Sequence, residues 1–505
     1  MGTSDPSVEM AASKPCVLVV PFPAQGHTVA LLDLAALLAA RGLRLTVVTT
    51  PANAYLLSPL LAAHPDMVRP LTLPFPSHPS LPAGLESFQD CPPTYAAVFV
   101  HALAALHHPI LAWAKSHPVA AILSDFFCGW TQPLAAELGV PRLVFTPSGV
   151  LGTAVPHSLF RRLVKQRPSD ADHVVAFPDI PGEPVYQWKE LSIMYRMYAE
   201  GLVDEEFGEA VRRNYLWNLE SWGFVSNTFR ALEGRYLDTP LGDLGSRRVW
   251  AVGPVAPEAD AAGQRGGEAA VAAGDLSAWL DVFPEGSVLY VSFGSLVVLT
   301  QPAAAALAEA LERSTIPFVW VVGAGNDGGL VPQAGAEPGK HEAEGLLQSY
   351  NDLQYETLRH CPQGFEARVA AAGRGVVVHG WAPQVATLRH AAVGWFMTHC
   401  GWNSVLEAVA AGVPMLAWPM TADQFVNARL LVEEAGVAVR ACAGGIGVCP
   451  DAGELAAVLA DAAGEGGRGV RARAKELAAE AAAAVMEGGS SRLDLERLVQ
   501  EIPKL

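Results

Sequence analysis

The chain has 505 residues, half of them apolar (51%), and a formal net charge of −17. That length exceeds a single hydrophobic core and predicts two or three domains. The acidic balance disfavours nucleic acid and anionic membrane surfaces as partners.

The N-terminal stretch MGTSDPSVEMAASK lacks an apolar core and does not read as a signal peptide. No uncharged run reads as a spanning helix of ~18–20 apolar residues. Seven cysteines (Cys16, Cys91, Cys128, Cys361, Cys400, Cys442, Cys449) are scattered without zinc-ligand spacing. Reduced thiols are the expectation, and with them a cytosolic location. No Asn-x-Ser/Thr acceptor is present.

In chain order, residues 16–21 read as a buried strand, 31–41 as a helix and 43–49 as a second strand, a parallel βαβ opening. His27 follows PFPAQG directly after the first strand, at a strand end near a helix start. Histidine titrates near neutral pH and suits a general base. Residues 119–123 and 142–145 are further strands. Asp125, in SDFFCGW, ends the first of these and is the best carboxylate partner for His27: it would fix the tautomer and balance a histidinium. Residues 252–270 are rich in Pro, Gly and Ala and read as a linker. A second series follows: strand 287–293, helix 302–313, strand 317–322. Residues 324–354 are polar and Gly-rich and predict a long loop. Alternating βα units on both sides of one linker imply two Rossmann-like domains facing across a cleft.

The most informative segment is WAPQVATLRHAAVGWFMTHCGWNSVLEAVAAGVPMLAWPMTADQ, from Trp381 to Gln424. Trp381 follows strand 375–379, where an indole can stack on a planar base. Strand 393–398 leads through a turn into a helix over 404–411, a ready diphosphate site because free N–H groups and the helix dipole converge there. His399, Asn403 and Ser404 add donors, and Glu407 one turn on can accept from ribose hydroxyls. Asp423 and Gln424, after strand 415–418, can read sugar hydroxyls.

Other signals are weaker. GAGNDG at 323–328 fits a dinucleotide fingerprint but no helix starts there, which argues against a nicotinamide oxidoreductase. Asp170–Ala171–Asp172 reads as a solvated loop rather than a metal site. His107 and His108 read as a helix end, and 468–485 as a surface helix.

The Trp381–Gln424 segment resembles the secondary product glycosyltransferase box of the plant family 1 UDP-glycosyltransferases. The resemblance extends through PFPAQGH, SDFFCGW, SWGFVSNTF, VWAVGPV and YVSFGS. LPFPSHPSLPAGLES is similar to one subgroup acting on flavonols and hydroxybenzoates. The resemblance implies the α/β GT-B fold: an acceptor domain over 1–252, a linker over 253–274, a UDP-sugar domain over 275–486, and a last helix (about 491–499) within 487–505 that crosses back. It implies UDP contacts from Ser295, Trp381, Ala382, Gln384, His399, Gly401, Trp402, Asn403, Ser404 and Glu407. Sugar contacts are implied from Thr146, Trp402, Asp423 and Gln424. Gln424 and Trp402 favour UDP-glucose, with UDP-xylose and UDP-rhamnose as alternatives. The acceptor pocket is expected to involve Phe88, Phe126, Phe127, Trp130, Trp188, Tyr195, Leu296 and Val297, apolar residues suited to planar phenolics. The chain is expected to be a monomer using no metal or cofactor, with inversion by a single displacement. A catalytically silent UDP-sugar-binding protein is the competing expectation.

Overall fold

The structure, a computed structural model, describes residues 16–166, 173–239, 241–245, 248–255, 270–295, 299–322 and 361–502. Fifteen strands appear among them. The first nine are β1 (Cys16–Val20), β2 (Leu45–Thr49), β3 (Val68–Thr72), β4 (Val119–Asp125), β5 (Arg142–Thr146), β6 (Val174–Ala176), β7 (Val185–Gln187), β8 (Gly223–Ser226) and β9 (Arg248–Ala251). The rest are β10 (Val288–Ser292), β11 (Phe318–Val322), β12 (Gly375–His379), β13 (Val393–Thr398), β14 (Met415–Ala417) and β15 (Ala438–Arg440).

These build two parallel sheets. The first has seven strands in the order β3-β2-β1-β4-β5-β8-β9, and the second six in the order β12-β11-β10-β13-β14-β15. β6 and β7 form a separate antiparallel hairpin. Helices cover both faces, so the central strands β1, β4, β5, β10 and β13 are buried along nearly their whole length rather than alternating. In β4, Ile122 faces one buried cluster while Ala121 and Leu123 face the other. In β10, Tyr290 and Val288 face one cluster, Leu289 and Val291 another.

Strand order reverses between β1 and β4 in the first sheet and between β10 and β13 in the second. At such a switch point the following loops diverge and leave a crevice at the strand C-termini. His27 and Asp125 follow β1 and end β4; the 292–295 and 399–404 segments follow β10 and β13. Both crevices open into one cleft.

The last helix, Ser490–Glu501, returns to the first sheet. Its Leu495 and Leu498, with Ile502, join that sheet's core. Asp494 accepts from the Ala251 N–H at 3.2 Å.

Some boundaries differ from the sequence expectation. The His27 helix is Gln25–Ala39, beginning six residues before the expected start. Gln25, Gly26 and His27 face the cleft and carry no apolar period, so periodicity missed this turn. The helix expected from 404 starts at Trp402, because Gly401 is extended (φ −62°, ψ 138°) and serves as its N-cap. His107 and His108 start a helix, His107–Ala114, rather than end one; Pro109 is tolerated in a first turn. The run Ala96–Ala114 is long and apolar enough, by length and composition, to cross a bilayer, contrary to expectation. It is two helices joined by a 3-10 turn, with Phe99, Val100, Leu103 and Ile110 buried in the first core. Residues 256–269 of the linker, the 324–354 segment, GAGNDG at 323–328 and Asp170–Asp172 lie outside the described residues.

Candidate active site

A cavity of about 570 Å³ occupies the cleft and is walled by both domains. On the first-domain wall, His27 Nδ1 lies 2.9 Å from Asp125 Oδ2. The other carboxylate oxygen accepts from the Phe127 N–H at 2.8 Å. Asp125 is therefore a strand-end residue that also caps the short turn after it, and both its oxygens are committed. Its side chain is fully buried, whereas that of His27 is 22% exposed. A carboxylate on Nδ1 fixes the proton there and leaves Nε2 as an acceptor. Phe127 stacks on the imidazole at 5.5 Å and 26°, and Phe126 lies at 5.6 Å.

A buried polar network holds this turn. Arg142, 1% exposed, donates to Ser124 and Thr131 hydroxyls, to the Cys128 carbonyl and to Asn218 Oδ1. Asn218 Nδ2 donates in turn to the Phe126 carbonyl and to His157 Nε2. Burial lowers the Arg142 pKa to about 9. Neutral hydrogen-bond acceptors stand where a counter-ion would otherwise be needed.

On the second-domain wall, the helix Trp402–Ala411 points its N-terminus into the cavity. Its first N–H groups have no acceptor within the helix. His399 lies against two glycines. A Cβ on Gly401 would sit 2.4 Å from its Nε2, and one on Gly294 2.7 Å from its Cε1. Burial lowers the His399 pKa to about 4, so the ring is neutral at pH 7, and its Nδ1 has no partner among the described residues. Cys400 beside it adopts φ 64°, the left-handed region, which turns the chain sharply between β13 and the helix. Trp381, Ala382 and Gln384 line the far end. The Gln384 amide donates to Ser404 Oγ at 3.1 Å and Glu407 Oε2 at 2.8 Å, joining three of the expected contacts. Ser295 is exposed on the cavity wall.

Among the described residues, contacts beside the cavity cross from one domain to the other. Asn403 Nδ2 donates to the Gly26 carbonyl at 2.7 Å, and Trp402 Nε1 to the Asn227 carbonyl at 2.7 Å. Ser148 Oγ donates to Asp423 Oδ2, which also accepts from Asn427 Nδ2 at 3.0 Å. Gln424 Oε1 accepts from the Met420 and Thr421 N–H groups at 2.9 and 3.0 Å. Its carbonyl is thus committed to the loop, leaving its NH₂ for the cavity.

Comparison with known proteins fits this geometry. A family model described as "UDP-glucoronosyl and UDP-glucosyl transferase" matches residues 344–447. The chain is 44% identical to the flavonol 3-O-glucosyltransferase UGT89B1 of Arabidopsis thaliana over 89% of its own length and 88% of that protein's. The chain belongs to the UDP-glycosyltransferase family. It is 43% identical to UDP-glycosyltransferase 89B2 of Stevia rebaudiana, covering 96% of this chain and 97% of the relative. Among solved structures, Arabidopsis thaliana UGT89C1 complexed with UDP-L-rhamnose superposes with TM-score 0.73 at 33% identity, over 97% of this chain and 99% of that one. The same protein has been solved complexed with quercetin, with TM-score 0.70 at 32% identity, over 97% of this chain and 99% of that one. The two parallel sheets are those of the GT-B fold shared by these plant UDP-glycosyltransferases.

Within this UDP-glycosyltransferase, several residues expected at the site lie elsewhere. Thr146 is 1% exposed and its hydroxyl donates to the Ser148 carbonyl, so Pro147 and Ser148, not Thr146, reach the cavity. Trp130, Trp188 and Tyr195 are core residues away from the cavity wall. The Trp188 indole N–H is tied to Glu200 and the Tyr195 hydroxyl to the Val164 carbonyl. Phe88 packs behind the wall on Phe22 and Phe99 at 5.0 and 5.6 Å. Phe126 and Phe127 do line the cavity. Leu296 and Val297 lie outside the described residues. Sequence reading missed Ser148, Gly152, His157, Tyr215 and Ser292, all on the cavity wall. A signal existed for one of them: Val211, Asn214, Tyr215 and Asn218 share a helical face that mixes apolar and polar residues, and all four are buried.

Proposed function

We propose that this protein transfers glucose from UDP-glucose to a hydroxyl of a flavonol-type phenol, with inversion at the anomeric carbon. The observation that carries this reading is the His27–Asp125 pair at 2.9 Å facing, across one cavity, a helix N-terminus and a neutral histidine. One wall can take up a proton while the other receives an anionic leaving group.

In this reading the acceptor O–H gives its proton to His27 Nε2 as its oxygen bonds to the anomeric carbon. The bond from that carbon to the UDP oxygen breaks, and UDP leaves as the anion. Asp125 balances the histidinium. The N–H groups at the start of Trp402–Ala411, with His399 and Ser404, stabilise the departing diphosphate. Trp381 stacks on the uracil and Glu407 accepts from the ribose. Asp423 and the Gln424 NH₂ read the sugar hydroxyls. A single displacement needs no carboxylate nucleophile, unlike a retaining glycosidase, and the reading assigns no step to a metal.

Glucose is supported by Gln424, and a flavonol acceptor by the name of the relative UGT89B1. Rhamnose is the second donor reading, favoured by the UDP-L-rhamnose complex of UGT89C1. The seven cysteines are all free thiols, which fits the reducing cytosol. The test is competition. The purified protein is offered UDP-glucose, UDP-rhamnose and UDP-xylose with flavonols, hydroxybenzoates and aliphatic alcohols, and products are identified by mass. Glucosides of flavonols as the main product support the reading; rhamnosides or alkyl glycosides as the main product overturn it.

A further inference from the structure

Tyr215 is a cavity-wall residue that no role so far uses. It sits on the helix Glu205–Glu220 and is 3% exposed. Three contacts lock that helix against the Asp125 turn. A Cβ on Gly129 would meet the Asn214 carbonyl oxygen at 2.2 Å, so helix and turn touch backbone to backbone. Asn214 Oδ1 accepts from the Trp130 N–H and Asn218 Nδ2 donates to the Phe126 carbonyl, one on each side of Tyr215. The ring itself stacks on Phe160 at 4.4 Å and 17° and meets His157 edge-on at 4.9 Å. Its position is therefore fixed before any ligand arrives.

The hydroxyl at the end of this rigid ring makes no hydrogen bond with a described residue, and it is not among the polar atoms sealed away from the cavity. Burial, and then the nearby Asp125 and Asp423 carboxylates, push its pKa up, so it keeps its proton throughout the physiological range. His157 beside it has both ring nitrogens committed, one to the Thr153 carbonyl and one to Asn218. His27 and Tyr215 flank the same Phe127 ring, at 5.5 and 6.0 Å between centroids. This corner of the wall thus offers an acceptor, His27 Nε2, and an uncommitted donor, the Tyr215 hydroxyl.

We infer that Tyr215 is the acceptor-recognition residue, donating its phenolic hydrogen to a carbonyl oxygen carried by the phenol whose hydroxyl lies on His27. The inference rests on the transferase reading above and narrows its substrate class to phenols that also carry a keto or carboxyl oxygen on the same rigid ring system. A hydroxyl plus a carbonyl is the complement of one acceptor plus one donor. A carbonyl has lone pairs only, so buried in this aromatic corner it requires a donor. A site built around such a bond discriminates against analogues that lack the partner.

The test compares wild type with Tyr215→Phe, which keeps the ring and its packing. Two acceptors are used: a flavonol and a simple para-alkylphenol without a carbonyl. KM for the flavonol is expected to rise about three- to tenfold in the variant, with kcat little changed. KM for the alkylphenol and the affinity for UDP should not move. Flavonol binding is also measured without donor, by fluorescence quenching, and should weaken by the same factor. Equal effects on both acceptors, or none on the flavonol, overturn the assignment. A wild-type protein that glucosylates only the carbonyl-free phenol overturns it, and with it the flavonol acceptor, while glucose transfer from UDP-glucose to a phenol stands. A wild type that neither binds nor glucosylates either phenol overturns both.

Discussion

Asp125 holds His27 with one carboxylate oxygen while the other accepts the Phe127 N–H, so a single buried side chain fixes both the imidazole and the turn that carries one aromatic plate beside it. Substituting Asp125→Asn keeps the size but offers an amide to Nδ1. The imidazole is then free to take the wrong tautomer. The expected result is a fall in kcat of about 10²–10⁴ with UDP affinity unchanged. Steady-state kinetics beside calorimetric titration of UDP checks both halves.

Gly401→Ala tests the wall proposed for the diphosphate. The new Cβ would lie 2.4 Å from His399 Nε2, and the ring cannot retreat toward Gly294 because it already crowds that backbone. His399 must leave its position. UDP should bind at least about tenfold more weakly, the equivalent of one or two lost hydrogen bonds. Titration of UDP into wild type and variant measures this directly.

The division between what was legible in the sequence and what was not follows from locality. Parallel α/β architecture shows in short apolar runs alternating with helices. The wall proposed for UDP shows because one unbroken segment, Trp381 to Gln424, carries nearly all of it. The wall proposed for the acceptor is assembled from four distant segments around His27, Asp125, His157 and Tyr215. In a sequence, Trp130 and Tyr195 look as suitable as Phe126, since aromatic residues serve core and pocket alike. Only the fold separates them, by placing Phe126 on the cavity and tying Tyr195 to the Val164 carbonyl. Ser148 was obscured for a similar reason: its partner Asp423 lies 275 residues away, in the other domain.

In the proposed reading Gln424 meets the donor sugar through its NH₂, because its carbonyl is held by the Met420 and Thr421 N–H groups. Gln424→His keeps an acceptor nitrogen for the loop but changes the donor presented to the sugar. The ratio of kcat/KM for UDP-glucose over UDP-galactose should fall by about tenfold or more. Parallel kinetics with the two donors gives that ratio.

Two buried histidines tie stability to pH. Burial lowers both His157 and His399 to about 4, below the unfolded value of 6.5. Between those values the unfolded chain binds more protons than the folded one, so stability is complete above pH 6.5 and falls as pH drops toward 4. Each histidine contributes at most about 1.4 kcal/mol per pH unit in that window. Glu233, whose pKa burial raises, contributes the opposite slope, and this cancels when two variants are compared. Urea unfolding at several pH values should show a steeper acid-side slope for wild type than for His157→Gln, by up to one proton.

The most direct test of the proposed chemistry is UDP release by His27→Ala, measured with UDP-glucose and a flavonol beside UDP binding to the same protein. Turnover should collapse by at least about 10²-fold, while UDP binds as in wild type, because His27 stands on the opposite wall from the helix Trp402–Ala411. Undiminished turnover in that variant would contradict general-base catalysis by His27 and the reading built on it.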